Sequence, residues 1–143
     1  MTTMLEDIVD RCDAIEECYE FMLAYAAQGL PGDQGSRSGT QLRELLSRAV
    51  HAASGLAGAY ACIVRQIGLE PAERYQAFLT VLERDAGNAL AAVQLVLAQP
   101  ALSSQLIDNL NASMHLRTLL TDIFLIDEIV KLRQTSFERT ATE

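Results

Sequence analysis

Two histidines and a set of clustered carboxylates are the residues of this sequence best suited to metal binding or acid–base catalysis. In a helical protein, a di-metal centre needs inward-facing Glu residues and Glu-x-x-His pairs on facing helices. Arg48 stands three positions before His51, and Ala112 stands three positions before His115. Neither histidine fits this ligand pattern, so we predict no metal site and no bound cofactor.

The acidic cluster of Glu16, Glu17 and Glu20 has the chemistry for general acid and base catalysis or for a cation site. Carboxylates that act together in glycosidase-type reactions converge from different elements around a cleft. These three are close neighbours on one predicted helix, so a solvated helix face is the favoured interpretation. The sequence also contains no glycine-rich phosphate loop, nucleophile elbow or catalytic-triad spacing, and we predict no catalytic residue.

The three cysteines, Cys12, Cys18 and Cys62, lack the CxxC spacing of metal and redox sites. Their odd number argues against a complete disulfide framework, and the first two lie too far apart on one helix for a relaxed disulfide. We therefore predict reduced thiols and a cytoplasmic protein. Arginine far exceeds lysine, with Lys131 as the single lysine, and this composition favours a bacterial source with a GC-rich genome.

The stretch HAASGLAGAYACIV, residues 51–64, places two glycines inside a predicted helix. Each glycine costs about 1 kcal/mol relative to alanine in a helix interior, so close packing, a bend or a bound ligand must offset it. Small residues let two helices approach closely, and they also leave room for a ligand. As the alternative function we predict a small-molecule or metal binder, or an enzyme, with a pocket lined by His51, Gly55, Gly58, Tyr60, Asn109 and Ser113.

Four long segments with helical periodicity must position these residues. We predict helices at about residues 3–28, 40–67, 71–98 and 103–133, the first two separated by a flexible loop, LPGDQGSRSG. Ser38 and Gln41 suit a capping box for the second helix, and a serine after Pro100 suits a cap for the fourth. The run DNLNAS, residues 108–113, is an alternative break in the fourth helix, because Asn, Asp and Ser compete for backbone hydrogen bonds.

The predicted fold is therefore all-α, an up-and-down four-helix bundle in a single domain at residues 1–135. Half of the residues are hydrophobic but only 6% are aromatic, which favours helices over sheets. At 143 residues the chain is too short for two ordinary domains. We expect residues 136–143 to form a frayed C-terminal tail.

The C-terminal half of the fourth helix, LLTDIFLIDEIV at residues 119–130, is apolar on nearly every side. No helix lies in the middle of a bundle of four, so such a helix is expected to be covered by a partner. We predict an association surface formed by Leu119, Ile123, Leu125, Ile126, Ile129 and Val130. Charge reversal at Ile126 or Ile129 is expected to disrupt association and to leave the helical content nearly intact.

The leading functional hypothesis is a protein that acts by protein–protein association. We expect a homo-oligomer, with a dimer favoured, or an accessory, adaptor or chaperone-like factor with another protein as its partner. Eleven basic against 19 acidic residues give a net charge of −8, the wrong sign for phosphate neutralisation, so we predict no nucleic-acid partner. Residues 86–107 carry no charge, but polar side chains and Pro100 interrupt them, so we predict no membrane contact.

Overall fold

Six helices follow one another in the computed structural model, which describes the backbone of residues 2–142 and the side chains of residues 3–135. They are α1 (Thr2–Ala26), α2 (Arg37–Ala53), α3 (Leu56–Ile67), α4 (Ala72–Leu97), α5 (Ser104–Ala112) and α6 (His115–Thr142). Residues 2–142 contain no β-strand, so the predicted all-α class is confirmed. Within this range no helix combines the length and the apolar character that crossing a bilayer requires.

The structure has six helices where the sequence predicts four, because two of the predicted helices are each broken in two. The predicted second helix corresponds to α2 and α3, and the predicted fourth corresponds to α5 and α6. The frayed tail expected at residues 136–143 falls on side chains outside the described part of the chain, and it stays a prediction.

The break between α2 and α3 lies at Ser54 and Gly55, inside the stretch of small residues. Arg11 of α1 reaches this break, where its Nη1 donates hydrogen bonds to the carbonyl oxygens of His51 (3.2 Å) and Ala52 (2.9 Å). A cationic side chain at a helix C-terminus satisfies orphan carbonyls and complements the helix dipole. A Cβ atom on Gly55 would lie 3.0 Å from Nη2 of Arg11, so this glycine gives room to the guanidinium.

The start of α2 differs from the prediction in its capping residue. Ser36 caps the helix instead of Ser38, because its Oγ accepts a hydrogen bond from the N–H of Gly39 (2.9 Å). A Cβ atom on Gly39 would overlap the carbonyl oxygen of Asp33. The preceding turn is therefore folded tightly against the first turn of α2, and only glycine fits at this position.

The predicted flexible loop between the first two helices is anchored to the connection between α4 and α5. The buried Asp33 carboxylate pairs with the Arg43 guanidinium and accepts a hydrogen bond from the N–H of Leu102 (2.7 Å). Arg43 in turn donates to the carbonyl oxygens of Leu97 (3.3 Å) and Gln99 (3.1 Å) at the end of α4. This polar cluster ties the loop, α2 and the α4–α5 connection together.

A break in the fourth helix at residues 108–113 was predicted as an alternative. The structure has this break at the end of that run, at Ser113 and Met114, between α5 and α6. Ser113 ends α5, and Met114 follows in the left-handed region with φ = 70°. The hydroxyl of Ser113 donates to the carbonyl oxygen of Leu110 (2.5 Å), so a short polar side chain satisfies the end of the helix as expected. At the other end of α5, Oγ of Ser103 accepts from the N–H of Leu106 (3.0 Å) as the predicted cap.

One apolar core runs between the helices. α1 packs against α2, α3, α5 and α6, and α4 packs against the same four helices. Within the described part of the chain, no Cα atom of α1 lies within 8 Å of a Cα atom of α4. Full burial of a Leu or Ile side chain contributes about 1.5–3 kcal/mol, and the largest side chains with almost no exposure are Tyr25, Tyr60, Ile15, Met22, Leu42, Leu46, Leu56, Ile63, Leu82, Leu102, Ile107 and Leu119.

Candidate functional site

The predicted association residues of α6 divide between the core and the surface. Four of the six are buried within the chain itself: Leu119, Ile123, Ile126 and Val130. Their spacing of three and four residues is the seam by which α6 packs against its own helices. Ile129 is half-buried, and Leu125 is 53% exposed. A charge at Ile126 would therefore disrupt the core, which makes the predicted charge reversal at that position unsuitable as a test of association.

Two further α6 residues, which the sequence prediction missed, lie on the exposed side of the helix. Phe124 is 54% exposed and Leu132 is 59% exposed. Together with Leu125 and Ile129 they form a group of apolar side chains that we call the α6 ridge. The exposed Glu128, four residues after Phe124 and four before Leu132, lies among them. The signal in the sequence is that Phe124 lies between the seam residues Ile123 and Ile126 and Leu132 lies two residues after the seam residue Val130, so neither faces the core when the seam faces inward.

An apolar groove of about 310 Å³ lies between α4 and α6 on one side of the ridge. Tyr75 and Phe78 of α4 and Leu125 and Ile129 of α6 form its walls, and Arg74 lies at its rim. Both aromatic side chains are only partly buried within the chain. The groove therefore presents aromatic surface that is still available to a partner.

A second groove, of about 330 Å³, lies between α1 and α6 on the other side of the ridge. Its apolar walls include Tyr19, Leu23 and Phe124, and its charged side chains are Glu16, Glu20 and Arg117. Burial and the neighbouring acids raise the pKa of Glu16 above its ordinary value. The α1–α6 groove therefore carries two acidic side chains and one basic side chain.

The residues of the predicted ligand pocket do not form one site. Gly55 and Gly58 line a groove of about 520 Å³ between the α2–α3 segment and α4. Tyr60 is buried on another side of α3. His51, Asn109 and Ser113 are exposed on α2 and α5, outside this groove.

The groove beside α3, which we call the α3–α4 groove, has small and polar walls. Gly58 faces it from α3 and Gly87 faces it from α4, and a Cβ atom on either glycine would meet no atom within 4 Å. Gln76, Thr80 and Glu83 supply its polar side chains. Close packing therefore does not explain Gly58, whereas Gly55 lies against Arg11.

Tyr60 belongs to a buried polar chain that links α1, α3 and α6. Its hydroxyl donates to Oδ1 of Asp127 (3.2 Å) and lies 3.5 Å from Sγ of Cys12, and Oδ2 of Asp127 pairs with Nζ of Lys131 (2.9 Å). Burial raises the pKa of the Cys12 thiol to about 11 and that of the Cys18 thiol to about 12. Both thiols are protonated at neutral pH and therefore unsuited to nucleophilic chemistry. These polar contacts fix the position of the Tyr60 hydroxyl and the register of α1, α3 and α6.

Within the side chains that the structure describes, no three His, Cys, Asp or Glu residues converge as metal ligands. The chain shows no significant similarity to a protein-family model, to a curated protein or to a solved structure. The grooves and the ridge are therefore the features from which a function can be argued.

Proposed function

We propose that this chain acts by protein–protein association and that a second copy of itself covers the α6 ridge. The observation that carries the proposal is that Phe124, Leu125 and Leu132 are each more than half exposed on one helix. Full burial of each such side chain would contribute about 1.5–3 kcal/mol. An apolar surface of this kind, continuous with apolar grooves, is typical of an association site.

The two grooves favour a second copy because they complement the ridge between them. A twofold interface uses the same patch on both subunits. When the two α6 helices lie side by side and parallel, with the twofold axis along them, the α4–α6 groove of one copy faces the α1–α6 groove of the other. Each ridge then lies against apolar walls of the second copy.

The charges at the groove rims support the same pairing. Arg74 lines the α4–α6 groove, and Glu16 and Glu20 outnumber Arg117 in the α1–α6 groove. The parallel arrangement places Arg74 of each copy on the same side as the α1–α6 groove of the other, whose lining has one more acidic than basic side chain. Such charge complementarity sets orientation and selects against wrong partners more than it adds affinity.

We also infer that the six helices form a four-helix bundle in which α2–α3 and α5–α6 each make one interrupted column. Its support is that α1 and α4 share four neighbours but have no Cα atoms within 8 Å of each other in the described part of the chain, as opposite corners of a bundle do. The free thiols of Cys12, Cys18 and Cys62 support the cytoplasmic location that we propose.

The test of the proposed dimer is a charge placed on the ridge. Leu125→Glu puts a carboxylate at an exposed position, so the fold should persist while dimer affinity falls about tenfold or more. Sedimentation equilibrium measures the dissociation constant, and circular dichroism checks the helical content. Leu95→Glu is the matched control, because Leu95 of α4 is 66% exposed and lies outside the ridge and its two grooves. Equal dissociation constants for both variants and the unmodified chain would refute the assignment.

A small-molecule site in the α3–α4 groove is the second candidate function. The observation that favours it is that Gly58 and Gly87 keep this groove open although neither is required by packing. Its volume lies within the range of ligand pockets, about 300–1,000 Å³. Native mass spectrometry of the freshly purified chain should then show an added mass, and Gly58→Leu should remove it by filling the groove. An unmodified chain without added mass counts against this candidate.

A further inference from the structure

The α4–α6 groove combines apolar walls with a single charged side chain. Among the described residues that line it, Arg74 is the only charged one and Tyr75 supplies the only hydroxyl group. Pro71, Phe78 and the aliphatic side chains of α6 make up the rest of the lining. Its volume of about 310 Å³ lies at the lower end of the range of ligand pockets, ~300–1,000 Å³. Such a groove suits a small ligand with one polar end and an apolar body.

The guanidinium of Arg74 has no anion of its own. It makes no hydrogen bond or ion pair with any residue that the structure describes. The acidic residues nearest to it in the sequence lie outside the groove: Glu70 accepts a hydrogen bond from the N–H of Ala72 (3.0 Å), and Glu73 is exposed. The N–H donors of the guanidinium are therefore open to an anion from outside the chain.

Helical spacing places this cation at one end of an apolar face. Pro71, Arg74 and Phe78 follow one another along the start of α4 at steps of three and four, so they share one face of the helix. The positive end of the helix dipole lies at the same end as Arg74 and also favours an anion there. Phe78 lies one turn further along, against the α6 wall of the groove. An anionic head at Arg74 therefore leaves apolar surface for a tail.

We propose that the α4–α6 groove binds an aliphatic carboxylate. The carboxylate pairs with the guanidinium of Arg74, and the hydrocarbon chain lies against Phe78 and Ile129. A guanidinium matches a carboxylate in shape as well as in charge, because two of its N–H groups can donate to the two oxygens. The Tyr75 hydroxyl, which makes no hydrogen bond with the described residues, is a second donor at this site. A cationic ligand is repelled, and an uncharged one gains no ion pair.

The ligand and a second copy of the chain compete for the same surface. Leu125 and Ile129 belong both to the groove and to the α6 ridge, so a bound ligand opposes the dimer by mass action. This consequence rests on the proposed function, whereas the binding itself does not. Leu132 belongs to the ridge but does not line the groove. The Leu132→Glu variant therefore separates the two proposals, since it weakens the dimer and leaves the ligand site unchanged.

An NMR titration of the Leu132→Glu variant with octanoate tests the ligand site. Amide signals of the groove residues on α4 and α6 should shift together and saturate with one dissociation constant. Octanol, the uncharged analogue, should bind about tenfold more weakly, because it cannot pair with Arg74. Shifts that are scattered over the surface without saturation, or equal affinities for octanoate and octanol, would overturn the proposal.

Arg74→Gln, made in the same background, tests the role of the guanidinium. It should weaken octanoate binding about tenfold and leave octanol binding unchanged. Arg84→Gln is the matched control, because Arg84 is an exposed arginine of the same helix that does not line the groove. Equal octanoate affinities of these two variants would also overturn the proposal. In the chain without substitutions, octanoate should shift the sedimentation equilibrium toward the single-chain mass. Octanoate binding without that shift would contradict the dimer and not the ligand site.

Discussion

Single charged residues close the ends of helices in this molecule. Arg11 caps the C-terminus of α2 from α1, and Arg43 caps the C-terminus of α4 from α2. Each guanidinium satisfies carbonyl oxygens that have no partner within their own helix and lies at the negative end of the helix dipole. The buried Asp33 carboxylate fixes the second of these arginines in place.

Asp33→Asn should destabilise the chain by about 3 kcal/mol at pH 7, because it leaves Arg43 without its buried partner. Urea unfolding followed by circular dichroism measures the difference. Asp10→Asn, an exposed change on α1, is the control and should have little effect. An Asp33→Asn variant as stable as the unmodified chain would show that the polar cluster does not hold the loop.

The same carboxylate predicts how the chain responds to acid. The hydrogen bond from Arg43 lowers the pKa of Asp33 below its ordinary value of 3.8. The stability that Asp33 contributes is therefore complete above pH 3.8 and is lost as the pH falls through the lowered pKa. We expect the unfolding free energies of the unmodified chain and Asp33→Asn to converge in strong acid. A constant difference from pH 7 down to pH 2 would contradict this interpretation.

The ends of a helix were predictable where a residue next to that end in the sequence stops or caps the helix. Gly68 stops α3 with φ = 74°, and Ser103 caps α5 through its hydroxyl, and both signals are readable over a few residues. A bend was one of three alternatives given for the glycines of residues 51–64, and the structure has a break there at Ser54 and Gly55, whereas the cap by Ser36 was not predicted. Arg11, which stabilises the break, lies 40 and 41 positions before the carbonyl groups that it binds, so this contact exists only once the helices have packed.

Gly58 in α3 and Gly55 at the N-cap of α3 give a prediction at the scale of that helix. Gly58→Ala should stabilise the chain by about 1 kcal/mol, because the new methyl group meets no atom within 4 Å and alanine is the better helix former. Gly55→Ala is the comparison and should gain less, since Gly55 is the N-cap of α3, where alanine is disfavoured, and its methyl group would press on the Arg11 guanidinium. Thermal unfolding of both variants measures the difference. Equal gains would show that Arg11 moves aside without loss.

At the scale of the whole molecule, composition and periodicity predicted an all-helical chain, but not which side of α6 faces the core. A helix that is apolar all round has no face marked as inner in its sequence. The structure buries Leu119, Ile123, Ile126 and Val130 and leaves the ridge exposed. The sequence also did not show which helices would line the predicted pocket. Asn109 in α5 and Ser113 at its end lie away from Gly55 and Gly58.

The dimer through the α6 ridge is the central claim, and sedimentation equilibrium of the unmodified chain tests it most directly. Loaded at about 100 µM, well above a micromolar dissociation constant, the chain should sediment with twice its single-chain mass of 15.6 kDa. Leu125→Glu should shift it toward the single-chain mass at the same loading. A chain that sediments at 15.6 kDa throughout, with or without that substitution, would contradict the account.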